Sequence, residues 1–260
     1  MKKLKKVFIA TVLATTMIAE GAVSSDVIFA SPVEKVIIDS DFNSMGDDGQ
    51  LFAMATQLMA QGKIELLGVT LVSGNRWLLQ EEAEALKAVE RMGVEKSVGV
   101  YAGADYPLHY NQQSIRDQQK SNPDGYFGAW MFQRPQNSTE VIAPSDGLAT
   151  HTKLQTQNAV DFLITTIKKY PHQVTVLEIG PPTNLALALQ KAPEIAPLLK
   201  QVIYMGGAME VQGNANAVAE LNWWFDPLAV SKVLHANVPQ VVIPLDVTNK
   251  VALDKMTFDR

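Results

Sequence analysis

Cysteine is absent from the 260-residue sequence, and histidine occurs only four times, without the paired spacing of a zinc site. The first absence excludes disulfides and a cysteine-linked lipid anchor, so in an oxidising compartment packing alone must hold the fold. Positive charge is also scarce: 22 Lys and Arg stand against 27 Asp and Glu, a formal net charge of −5. Polyanion binding needs a basic footprint, which argues against a nucleic acid polymer as partner. Long apolar runs are missing as well. The stretch from Val7 to Ala19 is too short to cross a bilayer comfortably as a permanent helix, and nothing later resembles a span.

That short stretch follows four lysines, the order of a secretory signal. Residues 1–30 are expected to be a signal peptide cut after Ala30, with Ala22 as the other candidate position and a buried N-terminal helix as the alternative reading. The product is then expected in a secreted or periplasmic location, with no stable membrane anchor. With 47% hydrophobic residues, residues 31–260 are sufficient for one α/β domain with a sizeable core.

From Lys35 onward, apolar β-rich runs alternate with helical patterns. Strands are predicted at 35–41, 64–72, 97–103, 173–180, 201–207 and 240–247, and helices at 48–61, 78–92, 152–169, 184–199 and 226–236. Such alternation indicates an open, mostly parallel sheet with helices on both faces. In these sheets ligands sit beyond the carboxyl ends of the strands, so the residues just after each strand should share one crevice. They are Asp39 and Asp41, Gly74 and Asn75, Gly180 to Asn184, Gly206 and Gly207, and Asp246. The segment 104–150 has six aromatics but no periodicity, and its length predicts a lid or binding loop.

The first strand end reads DSDFNSMGDD, with Asp39, Asp41, Asp47 and Asp48 inside ten positions. One helix N-terminus uses one or two carboxylates, and the rest repel each other. A hard divalent cation resolves that repulsion. The D-x-D pattern alone also suits sugar-nucleotide transferases and phosphatases.

Beyond it lie VSGN (72–75), GPPTNLALAL (180–189), MGGAMEVQGNANAVAELNWWFDP (205–227) and PLDVT (244–248). In this order the pieces resemble the inosine-uridine-preferring nucleoside hydrolase family, from about Val36 to the end of the chain. The resemblance implies cleavage of the N-glycosidic bond of a ribonucleoside, by water activated on Ca²⁺. It implies Asp41, Asp48 and the carbonyl of Thr183 as metal ligands, with Asp41 as catalytic base. Asp47, Asn75, Asn214, Glu220 and Asn222 would bind ribose, and Met205 would wall the pocket. Glu220 and Asn222, two apart, are expected in an extended segment. Trp130 and Trp224 are candidates for base stacking, though core positions suit both better. Homodimers or homotetramers are common in the family, and a binding protein that has lost turnover is the alternative.

Two departures stand out. Five residues, Phe42 to Gly46, separate Asp41 from Asp47, where the family pattern has three, which makes Asn43 a further candidate for the site. The chain also ends twelve residues after PLDVT, whereas family members continue and supply another Asp and often a His. A C-terminally truncated family member with weak or absent turnover is the resulting expectation.

Overall fold

The computed structural model describes residues 33–251; the expected signal peptide lies outside them. Six strands form one parallel sheet: β1 (Glu34–Ser40), β2 (Ile64–Leu71), β3 (Gly99–Ala102), β4 (Val174–Glu178), β5 (Gln201–Met205) and β6 (Gln240–Ile243). Their order is β3-β2-β1-β4-β5-β6, so the chain winds outward from β1 and then restarts at β4 on the other side. The carboxyl ends of β1 and β4 therefore part at a topological switch point, where open α/β sheets leave a crevice.

The alternation of side chains along β1 builds both layers. Val36 and Ile38 pack with α1 (Asp47–Ala60) and α2 (Leu78–Arg91), through Phe52, Ala85 and Val89. Ile37 points the other way, into the cluster formed with α4 (Ala159–Lys169), α5 (Thr183–Lys191) and α7 (Pro227–Leu234). This period-two split is what a strand buried on both faces requires. Among the described residues no helix is long and apolar enough to cross a membrane.

Three expectations are corrected. The segment 104–150 holds a helix, α3 (Gln112–Ser121), capped by Asn111, and a 3₁₀ turn at Gly128–Met131. Only Ile115 of α3 is buried, so the helix left no apolar periodicity to read. The strand predicted at 240–247 stops at Ile243, because Pro244 lacks an N–H and the chain turns into α8 (Leu245–Thr248). Asp246 is accordingly no strand-end residue; its carboxylate accepts the N–H groups of Met209 and Glu210. The pair Glu220 and Asn222 is not extended either: Glu220 caps the short helix α6 (Leu221–Phe225), its side chain accepting from the N–H groups of Asn222 and Trp223.

Beneath the crevice a polar row crosses the sheet in register, Thr70–Asp39–Glu178–Tyr204 on β2, β1, β4 and β5. All four are buried. Asn184 of α5 ties the row to its surroundings, donating to Asp39 Oδ1 (2.8 Å) and the Leu71 carbonyl (2.9 Å) and accepting from the Ala104 N–H (2.8 Å). Burial pushes the Asp39 carboxyl up to about 6, against the hydrogen bonds from Asn184 and Thr70. Burial, and then the charge of Asp39, raises Glu178.

Replacing Asn184 with Ala removes the acceptor of the Ala104 N–H and one donor each from the Leu71 carbonyl and Asp39 Oδ1, and is expected to cost roughly 2–4 kcal/mol in urea unfolding. The acid pair makes stability depend on pH. Asp39 and Glu178 bind protons more tightly folded than unfolded, so stability is full below pH 4 or so and falls as pH rises through about 6 for Asp39. The urea midpoint should drop across that window, and Glu178→Gln should flatten the drop.

Candidate functional site

Strand β1 delivers Asp41 to the mouth of the switch point, one residue beyond its end. Five residues later Gly46 caps α1, which places Asp47 and Asp48 in its first turn, where the helix dipole favours negative charge. Asp41 and Asp48 are 1% and 4% exposed, whereas Asp47 is exposed to solvent. Asn75 joins the two buried acids. Its N–H donates to Asp41 Oδ2 (2.8 Å), and its side-chain amide donates to the Asp41 carbonyl (3.0 Å) and Asp48 Oδ2 (3.4 Å). The Ser40 hydroxyl and the Asn43 N–H complete the shell of Asp48.

The longer acidic loop closes on itself. Phe42 is buried edge-on against Phe52, and the Asn43 side chain accepts from the Met45 N–H, so its carboxamide oxygen is taken up by its own turn. Backbone without side chains lets the walls meet at Asp41. A Cβ on Gly74 would lie 2.3 Å from Asp41 Oδ2, and one on Gly180 would lie 2.7 Å from the Asp41 nitrogen.

The opposite wall forms around β5. Glu220 accepts from the N–H groups of Gly207, Asn222 and Trp223. Asn222 donates to the carbonyls of Ile179 and Met205 and touches the Met205 sulfur, which ties this wall to the end of β4. Asn214, exposed, accepts from the Leu221 N–H. The Trp223 ring lies over Gly206 and Gly207, at distances that leave no room for a Cβ. Thr183 opens α5 fully buried, its hydroxyl donating to Asp226 Oδ2 (2.8 Å). Asp226 in turn caps α7 and accepts from the Leu108 N–H.

The two walls are thus bonded within themselves: Asp41, Asp48 and Asn75 on one side, and Met205, Glu220 and Asn222 on the other. Charge reaches across the gap, since Asp47 disfavours ionisation of both Asp48 and Glu220. Trp224 is core: it is buried and donates to Gln118. Trp130 packs on Trp77 and Phe225. All four histidines are exposed.

Three buried carboxylates escaped the sequence reading, Glu81, Glu178 and Asp226. Glu81 lies in a run, EEAE, that reads as a solvated helix face, and no sequence signal marks which of its acids turns inward.

Burial, and then the charge of Asp48, raises Asp41 well above the usual carboxylate range; burial and then Asp47 raise Asp48. Two buried acids in mutual repulsion are hard oxygen donors, the chemistry a divalent cation takes. Among the described residues no group of three or more Asp, Glu, His or Cys is gathered to hold an ion by side chains alone. A cation here would draw also on carbonyl oxygen and water, which Ca²⁺ accepts.

The sequence profile of the inosine-uridine preferring nucleoside hydrolase family matches residues 36–260. A protein of Schizosaccharomyces pombe described as uncharacterized is 35% identical over 218 residues, 84% of this chain and 63% of that protein. Pyrimidine-specific ribonucleoside hydrolase RihB of Escherichia coli is 32% identical over 216 residues, 83% of this chain and 61% of that protein. Among solved structures, a purine-preferring ribonucleoside hydrolase from Gardnerella vaginalis has a TM-score of 0.65 at 28% identity, covering 85% of this chain and 63% of that one. This chain therefore spans less than two thirds of the length of these relatives. Because the profile runs through both walls of the crevice and the turn between them, the chain belongs to the inosine-uridine preferring nucleoside hydrolase family.

Proposed function

We propose that the crevice binds the ribose of a ribonucleoside and supports hydrolysis of its N-glycosidic bond, with Ca²⁺ as the metal. The observation that carries this reading is the pair of buried acids, Asp41 and Asp48, joined by Asn75 at the switch point. Asp41, Asp48 and the carbonyl of Thr183 would hold the ion, whose contribution when bound is a water of lowered pKa.

The remaining chemistry belongs to side chains. Asn75 occupies Asp41 Oδ2, so Oδ1 is the oxygen left to accept a proton from the attacking water. Asp47, Asn75, Asn214, Glu220 and Asn222 offer the amides and carboxylates that ribose hydroxyls require. Cleavage develops positive charge on the sugar ring, and Asp47 and Glu220 stabilise it across the crevice. The relatives named above are pyrimidine-specific in one case and purine-preferring in another. The reading is therefore for ribonucleosides as a class.

Asp41→Asn is expected to lower kcat by about 10²–10⁴-fold while ribose still protects the variant against thermal unfolding. A wild-type chain that binds ribose without turnover would point instead to a binding protein. Ca²⁺ at 100 times its Kd should stabilise the wild type by about 2.7 kcal/mol; Mg²⁺ acting equally well would remove the preference for Ca²⁺.

We further propose export, on the basic-then-apolar order of residues 1–30. N-terminal sequencing of chain recovered from the exported fraction should begin at Ser31. Assembly as a homodimer or homotetramer, proposed on family resemblance, is read from the mass of the same material by light scattering.

A further inference from the structure

Two acids of helix α2 bond to loops of the site. Glu81 is 0% exposed and sits in the first turn of the helix. Its Oε1 accepts from the N–H groups of Arg76 (2.8 Å) and Gly74 (3.3 Å). The N–H between them, that of Asn75, points the other way, to Asp41 Oδ2 at 2.8 Å. Three successive backbone donors are thus shared between two buried carboxylates, and Asn75 is held from both sides. Its orientation fixes the side-chain amide that reaches Asp48.

One helical turn onward, Glu84 accepts from the hydroxyl of Ser44. Ser44 lies in the middle of the five-residue stretch between Asp41 and Asp47, so this bond anchors the longer acidic loop to the same helix. Residues three apart on a helix share a face. The base of α2 is also pinned: the Leu78 N–H donates to the Ser73 hydroxyl (2.8 Å), immediately before the Gly74–Arg76 turn.

We propose that α2 is a spacer for the site, in which Glu81 grips the Asn75 turn and Glu84 grips the acidic loop, so that both are positioning residues for Asp41 and Asp48. A two-carboxylate grip from one rigid helix sets the separation of two loops that share no regular secondary structure. The idea explains why an acid is buried at position 81 with no cationic partner among the described residues: its Oε1 is held by backbone N–H groups of the site, while Oε2 has no hydrogen-bond partner. It rests on the ribose and Ca²⁺ reading for its effect on turnover, but not for its effect on the loops.

The test uses the full chain with Glu81→Ala, Glu81→Gln, Glu84→Ala and Ser44→Ala. Amide hydrogen exchange without metal should quicken at residues 74–76 in Glu81→Ala and at 43–48 in Glu84→Ala. Ca²⁺ affinity by calorimetry should fall about 10–100-fold in Glu81→Ala, the scale of losing a group that orients metal ligands. On a ribonucleoside substrate, kcat should fall more than KM rises. Glu81→Gln keeps an acceptor for the Arg76 N–H and should restore most of the affinity. Ser44→Ala should match Glu84→Ala, and the double variant should add nothing further. If Glu81→Ala does not fold, the Ser44 and Glu84 cycle decides the matter alone. Wild-type exchange at both loops in the variants, or additive losses from Ser44→Ala and Glu84→Ala, would overturn the proposal. A wild-type chain that neither binds Ca²⁺ nor cleaves ribonucleosides would sink the functional reading, and the exchange comparison would still decide on the spacer.

Discussion

Buried negative charge at the carboxyl ends of β1 and β4 is the constraint on which the structure depends. Asp39, Asp41, Asp48, Glu81 and Glu178 are all nearly or fully buried there. No Lys or Arg side chain among the described residues forms an ion pair with any of them. Removing an isolated charge from water is costly, so each of these acids must find a proton, a set of N–H donors or a cation. Three solutions coexist. Asp39, Glu178 and Glu81 shift toward neutral acids, Glu81 also recruits backbone N–H groups, and Asp41 with Asp48 retains oxygen capacity that suits a metal.

Geometry follows from this division. Glycine stands at positions 74 and 180 because a side chain there would collide with Asp41, and at 206 and 207 because the Trp223 ring covers them. The donors that stabilise the acids also stitch the loops. Asn75 links the end of β1 to the first turn of α1, Asn184 links α5 to β1 and β2, and Asp226 links α5, α7 and the loop around Leu108. The segment beyond β3 joins both walls, through the Ala129 N–H on the Gly74 carbonyl and the Tyr126 N–H on the Ala215 carbonyl.

The parallel sheet was legible because its strands are β-branched runs buried on both faces, punctuated by glycine-ended helical patterns. Strand ends pointed to the crevice for the same reason. What escaped the sequence was set by tertiary contact. Helix α3 is polar on nearly every face, so period gave no sign of it. Glu220 caps a five-residue helix and also accepts from the N–H of Gly207, thirteen residues earlier, a contact that local propensity does not reveal. Glu81 and Glu84 share one acidic stretch with Glu82, and only the packing of α2 separates their roles. The role of the Asn184 side chain was equally invisible, since its three partners lie on elements far away in sequence.

The most direct measurement of the central claim is a crystal structure of the chain grown with Ca²⁺ and read by anomalous scattering. A peak about 2.3–2.6 Å from carboxylate oxygens of both Asp41 and Asp48, with the Thr183 carbonyl in its shell, is the expected result. An ion elsewhere, or the two carboxyls hydrogen-bonded to each other in saturating Ca²⁺, would contradict it.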